Sequence, residues 1–340
     1  MSTLLTPFII GGVPMSYPLM VGGGVCKHPH QALPYQRNDL PLGATEIGSL
    51  TPDPRSGNDG TLFRPPDWES FRQSKIGLNA LGMPNIGFAE GHRILNGMSP
   101  KVPLLVNLAG FATDDFADGV LLFHMLPSVS AIVLNFGCSN AHVKKTVPIA
   151  SDIGSVRQIL RAVGSHGIIR VPVWIKLSPY LTQEELDTLA FYHPDIDFSH
   201  TPTVPLGFLS EILGLIAEFA FVQAIIFSNT LGNVVVRRED GQPATTPNGG
   251  QAGLSGSLLK PINLRLIRQA RIILPERIDC VGCGGVLSGD DVVDYLEAGA
   301  AGVQYASGPF WYGNGARFVG NLLSDSERLQ TYLAPFFNCV

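Results

Sequence analysis

Short apolar runs rich in β-branched residues recur along the chain and alternate with helix-like stretches. This alternation is typical of a parallel sheet built from βα units. Eight runs predict strands: Leu19–Val25, Ala44–Leu50, Val102–Leu108, Ala131–Phe136, Val171–Leu177, Ala224–Ser228, Ile278–Gly282 and Ala301–Gln304. Predicted helices are Asp114–Leu126, Ser151–Gly164, Pro205–Phe219, Ser257–Ile273, Asp290–Ala298 and Gly315–Leu333. Eight such units predict an α/β protein with the (β/α)8 TIM-barrel fold.

Polar or glycine-rich clusters follow nearly every predicted strand, as in Cys26-Lys27-His28 and Ser228-Asn229-Thr230. The active sites of TIM barrels are built at the carboxyl ends of the strands. The clusters therefore predict a site at that end. Two long connections, Thr51–Asn79 and Gly232–Gly256, leave the same end and are rich in Gly, Pro, Asn and Asp. We interpret them as lids or binding loops.

Composition fits one large enclosed core. The chain has 340 residues, and barrels of about 250 residues or more form one unit, so we predict a single domain over residues 1–340 with its core at residues 18–315. Only 15% of the residues are charged and the mean hydropathy is +0.20. A net charge of −5 without a Lys/Arg run disfavours nucleic acid and anionic membranes as partners.

The chain lacks an evident targeting or membrane segment. Its first residues have no basic region and are broken by Gly11, Gly12 and Pro14, unlike a signal peptide. The most apolar stretch, Phe208–Phe227, contains two glutamates, whereas a spanning helix needs about 20 apolar residues. We interpret that stretch as a buried helix running into a strand, and we expect a cytoplasmic protein.

Five cysteines in a chain of this length do not indicate a disulfide framework. Cys280 and Cys283 have CxxC spacing but neither a second pair nor an adjacent histidine. We interpret them as small core residues and predict no metal site.

Two glycine clusters invite a phosphate-binding interpretation. Neither Gly22-Gly23-Gly24 nor Gly282-Cys-Gly-Gly285 fits the dinucleotide fingerprint of a Rossmann domain. The second follows the seventh predicted strand, and barrels often bind a phosphate with the loops after strands seven and eight. Gly285, Ala306 and Ser307 would supply the backbone donors.

Several strings, taken in their order, resemble the dihydroorotate dehydrogenase family over roughly residues 18–315. They are Pro18-Leu-Met-Val-Gly-Gly-Gly-Val-Cys-Lys27, Glu46-Ile-Gly-Ser-Leu-Thr-Pro52, Gly57-Asn-Asp, Asn79-Ala-Leu-Gly-Met-Pro-Asn-Ile-Gly87, Asn135-Phe-Gly-Cys-Ser-Asn140, Ile175-Lys-Leu-Ser-Pro179, Asn229-Thr-Leu-Gly-Asn233, Gly253-Leu-Ser-Gly256 and Gly282-Cys-Gly-Gly285. Each motif alone is weak, but their combination is highly specific.

The resemblance implies FMN-dependent oxidation of dihydroorotate to orotate in de novo pyrimidine biosynthesis, with hydride passing from C6 to flavin N5 while a base removes the C5 proton. Cys138 stands at the position of that base, and Lys27 at that of an active-site lysine. The implied substrate residues are Lys27, Asn79, Ala80, Leu81, Gly82, Met83, Asn135, Asn140, Asn229 and Thr230. The implied FMN residues are Gly23, Gly24, Lys27, Ser49, Asn107, Asn135, Lys176, Ser228, Gly256, Gly285, Ala306 and Ser307.

The chain mixes features of two subfamilies. Cys138 resembles the soluble class 1 enzymes, whereas Lys27 and the Glu46 string resemble the quinone-using class 2 enzymes. The electron acceptor stays open among fumarate, NAD through a partner subunit, and a quinone. A homodimer is a possible assembly.

Three departures leave the substrate open. Gly48 stands where class 1A enzymes carry a substrate lysine, Ser139 replaces a family proline, and Cys26 replaces an acidic residue. One alternative is an FMN oxidoreductase acting on another pyrimidine or cyclic imide, such as uracil. Another is an FMN-binding paralogue without catalysis, and a third is a barrel that binds no flavin.

Overall fold

The computed structural model describes residues 8–64, 75–138, 148–309 and 315–337. In these ranges the strands are β1 (Phe8–Ile10), β2 (Val13–Met15), β3 (Leu19–Cys26), β4 (Ala44–Leu50), β5 (Phe63–Arg64), β6 (Ile76–Asn79), β7 (Leu104–Leu108), β8 (Ala131–Asn135), β9 (Val173–Lys176), β10 (Ile196–Asp197), β11 (Val222–Phe227), β12 (Leu231–Val236), β13 (Ala252–Gly256), β14 (Asp279–Cys283) and β15 (Gly302–Tyr305). The α-helices are α1 (Gly87–Asn96), α2 (Thr113–Phe123), α3 (Ile153–Ser165), α4 (Gln183–Tyr192), α5 (Phe208–Ala217), α6 (Leu259–Ile273), α7 (Gly289–Glu297), α8 (Gly315–Ser324) and α9 (Glu327–Phe337).

Eight parallel strands close into a barrel in the order β11-β14-β15-β3-β4-β7-β8-β9. They correspond to the eight predicted runs, so the predicted TIM-barrel fold is confirmed. The buried helix running into a strand is also confirmed, as α5 and β11. The seventh run, in spite of Asp279, forms β14. The Asp279 carboxylate accepts a hydrogen bond from the Gly11 backbone N–H at 2.7 Å, which explains why a charged residue stands at the start of this strand.

The barrel interior changes from apolar to polar along each strand. Side chains two residues apart on a strand point to the same face. Leu105 and Trp174 belong to the buried apolar cluster, and the residues two positions further along β7 and β9 are the buried Asn107 and Lys176. Polar groups therefore gather at the carboxyl end of the barrel.

A short hairpin, β1 with β2, packs at the other end. Its buried residues Ile10, Val13 and Met15 share an apolar cluster with Trp174. The indole N–H of Trp174 donates to the Gly11 carbonyl at 2.9 Å, so the hairpin backbone is also hydrogen-bonded to the barrel. The sequence did not predict this hairpin.

The prediction that the two long connections are loops was wrong in part, because they contribute strands to a second sheet. We call the antiparallel sheet β10-β12-β13-β6-β5 the roof sheet. In it Asn79 pairs with Gly253, although the two are 174 positions apart. Pairing across that distance leaves no local pattern in the sequence, which is why the strands were missed.

The helix prediction also needs correction. Gly315–Leu333 forms two helices, α8 and α9, rather than one. Between them Ser326 is buried; its hydroxyl donates to Asp290 and accepts from the Leu329 N–H, which caps the start of α9. Helices α1 and α4 were not predicted, although Thr182 and Glu185 form the capping box that marks a helix start.

Candidate active site

A cavity opens at the carboxyl ends of the barrel strands, beneath the roof sheet. Its empty space, counted out to the open mouth, is about 990 Å³. The residues that line it come from both sheets and from the loops between them. They are Gly23, Gly24, Val25, Lys27, Gly48, Ser49, Asn79, Leu81, Gly82, Met83, Pro84, Asn107, Asn135, Cys138, Lys176, Asn229, Thr230, Ser255, Ala306 and Ser307.

A buried charge cluster forms the floor of the cavity. Lys176 Nζ lies 3.6 Å from Glu46 Oε1, and the two side chains are 5% and 0% exposed. Gln304 joins them, because its amide N–H donates to Glu46 at 2.6 Å and its carbonyl accepts from Lys176 at 3.3 Å. Burial alone lowers the pKa of Lys176, but the Glu46 carboxylate raises it, and the result is a raised pKa. The lysine is therefore charged at neutral pH.

Asn107 provides an unsatisfied polar atom beside this cluster. Its amide N–H donates to Glu46 at 2.6 Å, while its buried Oδ1 has no hydrogen-bond partner among the described residues. Buried acceptors are rarely left without a partner. Because Asn107 lines the cavity, this oxygen fits a ligand that donates a hydrogen bond at the floor.

A chain of hydrogen-bonded side chains forms one wall. Asn135 donates to the Ser49 hydroxyl at 2.8 Å, and Asn229 donates to Asn135 Oδ1 at 3.0 Å. Asn229 Oδ1 in turn accepts from the Thr230 backbone N–H at 2.7 Å. These contacts fix the orientation of the amides, which suits a planar ring with alternating donors and acceptors.

Cys138 and Lys27 lie together at the mouth of the cavity. Cys138 is half-buried and packs against Met83 and Ala109. Burial lowers the pKa of Lys27, and the charge of a Cys138 thiolate acts in the opposite direction. Both side chains line the same cavity.

The predicted substrate loop, residues 79–83, is held by side chains that the sequence did not identify. Asn58 donates to the Ala80 carbonyl at 2.8 Å, and Arg55 donates to the Gly82 carbonyl at 3.2 Å. Asn79 Nδ2 lies 3.3 Å from the Gly253 carbonyl of the roof sheet. The loop is thereby fixed to both the roof sheet and the connection after β4.

The glycine-rich turns after the late strands lie side by side. Gly256 and Gly285 adopt positive φ angles of 104° and 67°, which favour glycine. A Cβ on Gly285 would lie 2.9 Å from the Gly256 carbonyl. Ala306 and Ser307 follow β15 and line the cavity. The close approach leaves no room for a side chain at Gly285.

Most of the sequence-predicted site residues meet at this cavity, but some do not line it. Gly256 and Gly285 lie in the adjacent turns, and Ala80 and Ser228 are buried, with the Ser228 hydroxyl donating to Asn263. Asn140 and Ser139 lie outside the described residues. Glu46 and Gln304 were missed as functional residues, although a charge and an amide inside buried strands were a usable signal.

Gly48 departs from the family for a structural reason. Its φ is +116°, and a Cβ there would lie 2.5 Å from the Asn107 carbonyl oxygen. A lysine or any other residue with a side chain would fit at this position only if the backbone moved. Cys280 and Cys283 are buried, as expected for small core residues, and Cys26 is buried as well.

A closed barrel whose carboxyl end carries a buried lysine and the unsatisfied Asn107 Oδ1 is typical of a TIM-barrel enzyme, and this site suits a flavin nucleotide. The family model for dihydroorotate dehydrogenase matches residues 9–196 and 208–320. The chain belongs to the dihydroorotate dehydrogenase family. It is therefore an FMN-dependent oxidoreductase acting on CH–CH bonds.

Relatives with different electron acceptors match equally well. The chain is 28% identical to dihydroorotate dehydrogenase A (fumarate) of Limosilactobacillus reuteri, over 88% of this chain and 85% of that protein. It is also 28% identical to the catalytic subunit of dihydroorotate dehydrogenase B (NAD(+)) of Endomicrobium trichonymphae, over 87% and 83%. A ligand-free structure of dihydroorotate dehydrogenase from Eimeria tenella matches with a TM-score of 0.70 and 17% identity, over 98% and 89%, which supports the fold.

Proposed function

We propose that the enzyme oxidises dihydroorotate to orotate in this cavity, with FMN bound at the buried floor and Cys138 acting as the base. The observation that carries the proposal is the arrangement of the two cavity lysines. Lys176 is paired with Glu46 at the floor, whereas Lys27 lies at the mouth beside Cys138 and is paired with no carboxylate among the described residues. This arrangement supports a cofactor role for Lys176 and a substrate role for Lys27.

The floor residues fit FMN. Lys176 would place its ammonium against the flavin ring, and Asn107 Oδ1 would accept a hydrogen bond from the flavin. Bound FMN supplies the acceptor for the hydride that leaves the substrate. The residues proposed to hold FMN are Gly23, Gly24, Lys27, Ser49, Asn107, Asn135, Lys176, Ser228, Gly256, Gly285, Ala306 and Ser307. Its phosphate would bind at Gly256, Gly285, Ala306 and Ser307.

The substrate ring would be held by the amide wall. Asn135 and Asn229 are oriented by their mutual hydrogen bond, and each keeps an amide N–H for the ring's C=O groups. Asn79 and Thr230 face the same space from the roof sheet and the adjoining turn. We include Asn140 on the resemblance alone.

Lys27 would bind the substrate carboxylate. With Gly48 unable to carry a side chain, Lys27 is the cation at the mouth among the described residues. Pairing with an anion restores the charged form that burial disfavours. Cys138, close to Lys27, would take the C5 proton on its thiolate sulfur, since only the thiolate can accept a proton.

A substrate comparison tests this function. The purified yellow enzyme is mixed anaerobically with dihydroorotate or with dihydrouracil, which lacks the carboxylate, and the loss of visible flavin absorbance is followed. We expect reduction by dihydroorotate at far lower concentrations than by dihydrouracil. In Lys27→Met that preference should fall by roughly tenfold or more, since a charge-assisted bond contributes about 1.5–3 kcal/mol. Equal preference in both proteins would exclude Lys27 as the carboxylate site.

We also propose a single domain, a homodimer and a cytoplasmic location. Roof-sheet residues such as Leu78 and Leu254 belong to the same apolar cluster as the barrel strands, which supports one domain. Leu206 and Ile272 are 94% and 86% exposed and offer apolar surface to a second copy. Light scattering of the purified protein tests whether it is a dimer.

Buried cysteine thiols are typical of a reducing compartment, which supports the cytoplasmic location. In the described ranges no helix is long and apolar enough to cross a membrane.

A further inference from the structure

Glu46 lies beneath the cavity rather than in it. Its side chain is fully buried and accepts hydrogen bonds of 2.6 Å from both Asn107 and Gln304. A Cβ on Gly23 would lie only 2.2 Å from Glu46 Oε1, so β3 crosses directly over the carboxylate. Glu46 therefore acts on a ligand in the cavity only through its neighbours.

The most consequential of these neighbours is Lys176. Gln304 is held between the two, with its N–H toward Glu46 and its carbonyl toward Lys176, so its amide has one orientation that satisfies both. The ammonium is thereby fixed by Glu46 and Gln304 before any ligand binds. Replacing Glu46 by a neutral residue would leave the buried ammonium without a counter-charge, which is costly.

We propose that Glu46 is a positioning residue that keeps Lys176 protonated in the oxidised enzyme, so that the ammonium is already present when the flavin is reduced. The inference rests on the proposed FMN site. Without a counter-charge, burial would favour the neutral amine. Lys176 would then take up a proton at the moment when negative charge reaches the flavin.

Few other titratable groups face Lys176. In the described part of the chain they are Glu46 on β4 and Cys283 on β14, while Lys27 and Cys138 share the cavity at its mouth. Burial raises the pKa of Cys283, so this thiol is neutral at ordinary pH and supplies no counter-charge. The charge state of Lys176 therefore depends on Glu46.

Proton uptake during reduction tests the proposal. The midpoint potential of the holoenzyme is measured against pH in alkaline buffer, with a chemical reductant and mediator dyes and without dihydroorotate. In the wild type we expect one proton for each two electrons, because Lys176 is already charged. In Glu46→Gln we expect a lower potential and two protons for each two electrons, so the slope against pH doubles.

Two further variants separate the role of Glu46 from general damage. The double variant Glu46→Gln, Gln304→Glu again gives Lys176 a neighbouring carboxylate, now at position 304. It should restore the wild-type slope. In a Lys176→Met background, Glu46→Gln should leave the slope unchanged. A doubling that persists without Lys176 would assign the extra proton to another group and overturn the proposal.

The outcomes also distinguish this inference from the proposed function. A wild-type slope of two protons for each two electrons would contradict the inference without any variant, even if Glu46→Gln fails to fold. An unchanged slope in folded Glu46→Gln would do the same. Neither result involves dihydroorotate, so the proposed substrate would stand. A protein that binds no FMN would instead refute the proposed function.

Discussion

The two ends of the barrel are built from the same eight strands but carry opposite chemistry. At the amino end, the hairpin packs Ile10 and Met15 against Trp174 in an apolar cluster. At the carboxyl end, the side chains are amides, lysines and a glutamate around a cavity. One step of two residues along a strand separates the two layers.

From this difference we infer that stability and catalysis depend on opposite ends of the barrel. Apolar burial at the amino end stabilises the fold without facing the ligand. At the carboxyl end, buried polar groups cost stability unless they are paired, and Asn107 Oδ1 has no partner among the described residues. Changes at one end should therefore affect mainly unfolding, and changes at the other mainly reaction rate.

The largest effect is expected from Cys138→Ala at the carboxyl end. Loss of a positioned base should slow anaerobic reduction of the flavin by dihydroorotate by roughly 10²–10⁴, with little change in the free energy of unfolding. Wild-type reduction should become faster as pH rises toward the ordinary thiol pKa of about 8.5. Stopped-flow absorbance measures both. The control is Cys280→Ala, a buried thiol outside the cavity; equal rates in the two variants would remove Cys138 from this role.

The next effect should appear at the amino end as a loss of stability. Ile10 is 1% exposed, whereas its neighbour Ile9 is 71% exposed. Ile10→Ala should lower the free energy of unfolding by about 2–5 kcal/mol, and Ile9→Ala by no more than about 0.5 kcal/mol. Denaturant titration of the holoenzyme compares them. The reduction rate per bound flavin should stay at the wild-type value in both; a large fall in Ile10→Ala would show that the ends are not separable.

A smaller effect is expected for the amide wall. Asn229→Ala removes the donor to Asn135 and the acceptor for Thr230. We expect the dihydroorotate concentration for half-maximal reduction to rise by roughly tenfold, since a buried group left unpaired costs about 1–3 kcal/mol. The exposed Asn96 provides the matched Asn→Ala control. No change in Asn229→Ala would mean that the wall does not hold the substrate.

The smallest effect concerns the hydrogen bond that holds the hairpin. Burial raises the pKa of Asp279 in the folded chain. As pH rises, the Asp279 carboxyl therefore ionises in the unfolded chain before it ionises in the folded chain. The free energy of unfolding falls between the ordinary carboxyl pKa of 3.8 and the raised pKa of the folded chain. Asp279→Asn keeps an acceptor for Gly11 and should be slightly more stable than wild type at neutral pH, with no difference in acid. Denaturation midpoints at both pH values decide; a less stable variant at neutral pH would reverse the sign.

The sequence predicted the barrel because each buried parallel strand is a local apolar run. The polar residues at the strand ends, including Asn135 and Lys176, were also predictable, because they follow those runs directly. The roof sheet was not, since its pairing of Asn79 with Gly253 joins distant segments. Glu46 belongs to one of the family strings, but its contact with Lys176 forms only when β4 and β9 face each other across the barrel.

The central claim is that this cavity passes hydride from dihydroorotate to FMN, and a single anaerobic turnover tests it most directly. The flavin-loaded wild type is mixed with dihydroorotate in the absence of any electron acceptor, and bleached flavin and orotate are both quantified. We predict one orotate for each flavin reduced. A protein whose flavin stays oxidised with dihydroorotate, yet is reduced by a chemical reductant, would contradict the account.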